Sequence, residues 1–214
     1  MMKPFPTPEH YLRPGETRLH IYALPTRDEQ PALFRLIDRA GAVCARFGGT
    51  NVPVREEWLH ATVRMVSLDA RGIDSGQRAA LVEALGAGLA DLEPFTLHVS
   101  ELTATDAGVM LGFDDDADAA AEAGTAWHRM SVRVREAIGR SCGPGALGFE
   151  PGPPHVSLTY CSHETDSAPI QEALRAAPHA REPFHVDALH LVDVLQDADA
   201  HAYTWRHLAR IPLG

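Results

Sequence analysis

The sequence predicts an α+β fold in which one arrangement of strands and helices occurs twice. Three observations lead there. Short alternating apolar runs are interspersed with amphipathic runs of helical period, the order of the runs in the first half recurs in the second, and each half carries a His-x-Thr/Ser triplet at the same place in that order.

The first half opens on "RLHIYALP" (18–25), which reads as a strand. A helix follows in "EQPALFRLIDRAGAVCARFG", with Leu33, Leu36, Ile37, Ala40 and Val43 at helical spacing. "EEWLHATVRM" (56–65) reads as a second strand. Alternate side chains of a strand share a face, so Trp58, His60, Thr62 and Arg64 are expected on one side and Leu59, Ala61, Val63 and Met65 on the other. A helix in "DSGQRAALVEALGAGLADL", capped by Asp74 or Ser75, leads to a strand at "PFTLHVSEL".

The second half runs through a strand at "GVMLGFD", a helix at about 118–139, a strand in "PPHVSLTYC" and a helix in "SAPIQEALRAA". Strands at "FHVDALHLVDVL" and "YTWRHLARIPL" complete it. Matching intervals support a duplication: Arg18 to His60 spans 42 residues and Gly108 to His155 spans 47, while His60 to Phe95 spans 35 and His155 to Phe184 spans 29.

That order selects among the histidines. With 12 His and 20 Ser plus Thr in 214 residues, about one His-x-Ser/Thr triplet is expected by chance, and four occur. His98/Ser100 has no equivalently placed twin, and His163/Thr165 lies in the loop-like "CSHETDS". His60/Thr62 and His155/Ser157 occupy equivalent places, and in the second triplet His155, Ser157 and Thr159 are expected to share a face opposite Val156, Leu158 and Tyr160.

Composition narrows the setting. A chain of this length, 45% hydrophobic, can bury a core as one domain or two intimate lobes. No apolar run approaches the roughly 18 residues of a membrane span, and "MMKPFPTPEHYLRPGE" lacks a signal-like segment. A cytoplasmic monomer without membrane contact is expected. Cys44, Cys142 and Cys161 are too few for a disulfide framework and read as small buried residues. A net charge of −10 argues against gripping long duplex nucleic acid, and Arg129, Arg133 and Arg140, with Glu136 between them, read as a solvated helix face.

Two imidazoles converging on one point supply an acid and a base near neutral pH, since their ordinary pKa is about 6.5. The hydroxyls of Thr62 and Ser157 could each donate to a non-bridging phosphate oxygen, and Arg64 could add charge. Such a group suits a phosphodiester. Neither metal nor other cofactor is expected: His-Glu-x-x-His and Cys-x-x-Cys spacings are absent, and Asp114, Asp115, Asp116 and Asp118 fall where carboxylates favour the start of the predicted helix. Tyr22 and Trp58 are candidates for stacking on an unpaired base.

The paired "HATV" and "HVSL", 95 residues apart, resemble the two motifs of the 2H phosphoesterase superfamily, particularly its bacterial 2'-5' RNA ligase and cyclic phosphodiesterase branch. The likeness covers roughly residues 18–212 and leaves 1–17 as an N-terminal extension, either a flexible arm or a cover for the cleft. The resemblance implies two antiparallel sheets around a central cleft with helices outside. The lobes would lie at roughly 18–106 and 107–214, with exchange of terminal strands conceivable. It further implies metal-independent hydrolysis or formation of RNA-type phosphodiesters, with His60 and His155 as acid and base and Thr62 and Ser157 as phosphate-binding hydroxyls. A nucleotide or short RNA is the partner so implied. A nucleotide-sensing module with little turnover, or a hydrolase of cyclic dinucleotides or another small phosphodiester, stays open as an alternative.

Overall fold

Nine strands and four helices follow one another in the computed structural model, which describes residues 1–6, 12–13, 15–114, 124–177 and 180–214. The strands are β1 (Thr17–Ala23), β2 (Asn51–Pro53), β3 (Ala61–Asp69), β4 (Phe95–Ala104), β5 (Gly108–Asp114), β6 (His155–Cys161), β7 (Pro183–Val186), β8 (Ala188–Asp197) and β9 (Ala202–Pro212). The helices are α1 (Pro31–Ala45), α2 (Ser75–Leu89), α3 (Ala126–Cys142) and α4 (Ala168–Ala176). Every strand pairing is antiparallel, which gives the α+β class.

The two expected sheets join into one, in the order β7-β4-β5-β6-β3-β1-β8-β9, with β2 on β6. Two halves of four strands meet at the β3–β6 seam, where the ladder is a single pair, Ala61 with Val156. Both residues are fully buried, so the seam is anchored in the core.

Each half draws on both repeats. β4 closes the first repeat yet pairs with β5, which opens the second, while β8 of the second repeat pairs with β1 of the first. The helices cross as well: α1 packs on α4 and β6, and α3 packs on α2 and β3. The lobes expected at 18–106 and 107–214 therefore interleave in space. "FHVDALHLVDVL", expected as one strand, breaks at Asp187 because its first part pairs with β4 in one half and its second with β1 in the other.

Local chemistry explains the helix limits. Asp74 caps α2 by accepting from the Gln77 N–H at 2.8 Å, and the Gln77 side chain accepts in return from the Asp74 N–H. Thr125 caps α3 by accepting from the His128 N–H at 3.2 Å, and residues 118–123 of the helix expected at about 118–139 lie outside the described residues. Asp115, Asp116 and Asp118 lie outside the described residues, and Asp114 ends β5. Arg129 and Arg140 are exposed as expected, while Arg133 pairs with Asp91. Cys44 and Cys161 are buried and Cys142 is half-buried.

Leucines of α1 and α2 and apolar residues of α3 and α4 cover the outer face of the sheet. The inner face carries a smaller cluster of Tyr22, Val192 and Val194, with Leu24, Tyr203 and Trp205 packed against it. This concave face is where the two His triplets come together. No helix among the described residues is long and apolar enough to cross a membrane.

Candidate active site

His60 stands one residue ahead of β3. The preceding Glu56–Trp58 forms a single 3-10 turn rather than the expected strand, and it sets the Trp58 carbonyl 2.9 Å from His60 Nδ1. His155 opens β6, with its Nδ1 2.9 Å from the Pro153 carbonyl. A carbonyl only accepts, so each Nδ1 carries the hydrogen and each Nε2 is left for proton exchange. Both triplets use the same contact, to the carbonyl two residues upstream.

The seam register brings four side chains to one place. Extending the Ala61–Val156 pair by one residue in each direction sets His60 across from Ser157 and Thr62 across from His155. Directly opposed residues have Cβ atoms roughly 4.5–5.5 Å apart. All four project to the concave face, since Ala61 and Val156 between them are buried on the other. Gly112 is the partner of His155 on β5, so no side chain opposes the imidazole from that strand.

Beyond each triplet the strand changes face, and it does so at the same position in both. The β1–β3 register steps from Tyr22–Thr62 to Ile21–Arg64, which makes Val63 a bulged extra residue. The β5–β6 register steps from Met110–Ser157 to Val109–Thr159, which makes Leu158 its counterpart. Arg64 therefore leaves the face of Thr62 on which it was expected. It is buried on the helix side, where Nε donates to the Ser131 hydroxyl at 3.1 Å and Nη1 donates to Glu150 at 2.8 Å and to the Phe149 carbonyl at 3.1 Å. Thr159 likewise turns from the cleft and accepts from the Val109 N–H at 3.0 Å, and Tyr160 takes the concave face instead.

Tyr22 does not offer a stacking surface, contrary to expectation. It is 1% exposed, and its ring lies against His60 with centroids 4.0 Å apart and planes at 23°. Its hydroxyl is 2.7 Å from His20 Nδ1 and lies near the Thr62 hydroxyl. Ser157 has a matching neighbour in Tyr160. Each triplet hydroxyl thus lies beside a buried tyrosine. Trp58 remains half-exposed, edge-on to Trp205 at 4.7 Å.

Burial shapes the basicity of His60. Tyr22 covers one face, and Trp205 and Tyr203 stand edge-on at 5.2 and 6.3 Å. Burial lowers its pKa from the usual 6.5 to about 4, against the opposing effect of the Trp58 carbonyl and with a further lowering by nearby His155. Burial likewise lowers His20 to about 3. Both are neutral bases in the folded protein at pH 7.

Folded pKa values below the unfolded value leave stability intact above about pH 6.5 and remove it as pH falls toward 4 and then 3. At about 1.4 kcal/mol per unit, the loss is on the order of several kcal/mol. Melting temperature should drop through this window, and His20→Asn should flatten the slope there. An unchanged slope in His20→Asn would remove His20 from this account.

His20, Tyr160, Tyr203 and Trp205 were not among the expected site residues. Alternation was the available signal: His20 is two residues from Tyr22, and Tyr203 is two from Trp205, so each pair shares a strand face. A cavity of about 570 Å³ adjoins the 3-10 turn, lined by Leu24–Asp28 with Glu56, Glu57 and Leu59, and neither imidazole lines it.

The chain matches the family model described as the 2'-5' RNA ligase superfamily over residues 30–198. Among solved structures, it is similar to TT0787 of Thermus thermophilus, with TM-score 0.60, 17% identity and 92% of this chain and 97% of that chain covered. It is also similar to Escherichia coli LigT. The complex with 3'-AMP gives TM-score 0.58 and 16% identity, covering 92% of this chain and 98% of that one. The complex with NADP+ gives 0.61 and 17%, with the same coverage. No curated protein sequence matches the chain.

Proposed function

We propose, from the premise that this chain belongs to the 2'-5' RNA ligase superfamily, that it is a metal-independent phosphodiesterase using His60 and His155 as an acid–base pair. Its substrates in this reading are 2',3'-cyclic phosphate ends or 2'-5' linked nucleotides. The observation that carries it is the four-residue group at the seam, with each Nδ1 tied to a backbone carbonyl.

A phosphate among these groups would receive hydrogen bonds from Thr62 and Ser157 on its non-bridging oxygens. One Nε2 takes the proton of the incoming water or hydroxyl while the other gives a proton to the leaving ribose oxygen. Because the same pair exchanges roles in reverse, ligation uses the same machinery. The complexes of Escherichia coli LigT with 3'-AMP, ATP and NADP+ are consistent with a nucleotide at such a cleft.

The test is a panel of 2',3'-cyclic nucleotides, 2'-5' dinucleotides and cyclic dinucleotides with EDTA present. Turnover of one of the first two with chelator is expected. Turnover only on adding a divalent metal, or tight binding of a nucleotide that stays intact for hours, would overturn the reading.

A further inference from the structure

The N-terminal segment crosses one end of the cleft. The Phe5 N–H donates to the Cys161 carbonyl at 2.8 Å, and the Phe5 carbonyl accepts from His201 Nδ1 at 2.8 Å. One residue is thereby tied to β6 in one half of the sheet and to the turn before β9 in the other. Further along, the Leu12 N–H donates to Gln196 at 2.8 Å.

The Phe5 ring stacks on Tyr160 at 4.2 Å and meets Tyr203 edge-on at 4.9 Å. Those tyrosines stand on strands four places apart in the sheet, yet their rings are 5.9 Å apart, so the curled sheet is plugged here by three aromatic rings. Phe5 is 5% exposed and Tyr160 6%. The plug abuts both triplets, because Tyr160 lies beside Ser157 and the Tyr203 ring lies 6.3 Å from His60. At the other end, Trp58 and Trp205 are half-exposed and His207 is exposed. The cleft is open on one side of the imidazoles and filled on the other.

We infer that Phe5 is a specificity-determining residue, filling the side of the phosphate position next to Ser157 and selecting a phosphodiester whose organic part lies wholly on the open side. This rests on the phosphodiesterase reading above and chooses between its two substrates. In a 2',3'-cyclic phosphate both ester oxygens belong to one ribose and the incoming group is water. Water adds to phosphorus, the bond to one ribose oxygen breaks, and that oxygen takes a proton from one imidazole. The proton of the water passes to the other imidazole, and a phosphate monoester results. Water needs little room on the filled side. A 2'-5' dinucleotide carries a nucleoside on each side of phosphorus, and one of them meets the Phe5 ring.

The experiment compares a 2',3'-cyclic nucleoside monophosphate with a 2'-5' dinucleotide on the full chain and on Phe5→Ala. The wild type should favour the cyclic substrate by about a hundredfold, and Phe5→Ala should raise the dinucleotide rate at least about tenfold while leaving the cyclic rate close to wild type. If melting shows Phe5→Ala to be unfolded, Phe5→Leu keeps an apolar anchor and should move the same ratio by a smaller factor. Equal wild-type rates, or an unchanged ratio in a folded variant, would overturn the inference and leave the phosphodiesterase reading standing. No turnover of either substrate would overturn both.

Discussion

Alanine at His60 or at His155 is expected to lower kcat/KM on the preferred phosphodiester by roughly 10²–10⁴-fold, without loss of the fold. Each imidazole presents Nε2 with its Nδ1 hydrogen already committed to a carbonyl, so either truncation removes one whole proton-transfer step. The double variant should be little worse than the poorer single one, because both groups serve the same transition state. The His60 site needs a folding control, since Tyr22 stacks on it at 4.0 Å and truncation leaves a hole between that ring and Trp205. His60→Gln fills the space without titrating and should be nearly as inactive. Full rate in either alanine variant with EDTA present would end the two-imidazole mechanism.

Removing a triplet hydroxyl is the second large effect. Thr62→Val and Ser157→Ala should each cost about 10²–10³-fold in kcat, the size seen when one donor to a developing negative charge is deleted. The two hydroxyls stand diagonally across the seam, each opposite the other triplet's imidazole, so the losses should be similar in size. Thr62→Ser supplies the control, because serine is what the second triplet already uses. It should keep most of the rate, and steady-state kinetics on the four variants checks this. Wild-type kcat in Thr62→Val would remove that hydroxyl from the phosphate site.

The meeting of His60 and His155, the proposed acid–base pair, was legible in the sequence because it depends on order along the chain. His60 and His155 hold equivalent places in a repeated series of elements, and the seam brings equivalent places together. Arg64 and Thr159 were not legible. Period-two alternation assumes an unbroken ladder, and the bulges at Val63 and Leu158 reverse the face within one residue. Neither residue carries a local signal for a bulge. Exchange of terminal strands was among the expectations, but the break at Asp187 was hidden for a related reason: it depends on which neighbours its two flanks find, β4 on one side and β1 on the other. Tyr22 was recognised as an aromatic of the cleft, but its use depends on packing. A ring 1% exposed against His60 tunes that imidazole and cannot also receive a base.

The most direct measurement of the central claim is a crystal structure of the protein soaked with inorganic phosphate. One phosphate ion should lie between the two rings, with Nε2 of His60 and Nε2 of His155 each about 2.7–2.9 Å from an oxygen of that same ion. A phosphate held by one imidazole alone, or seated away from the β3–β6 seam, would contradict the account.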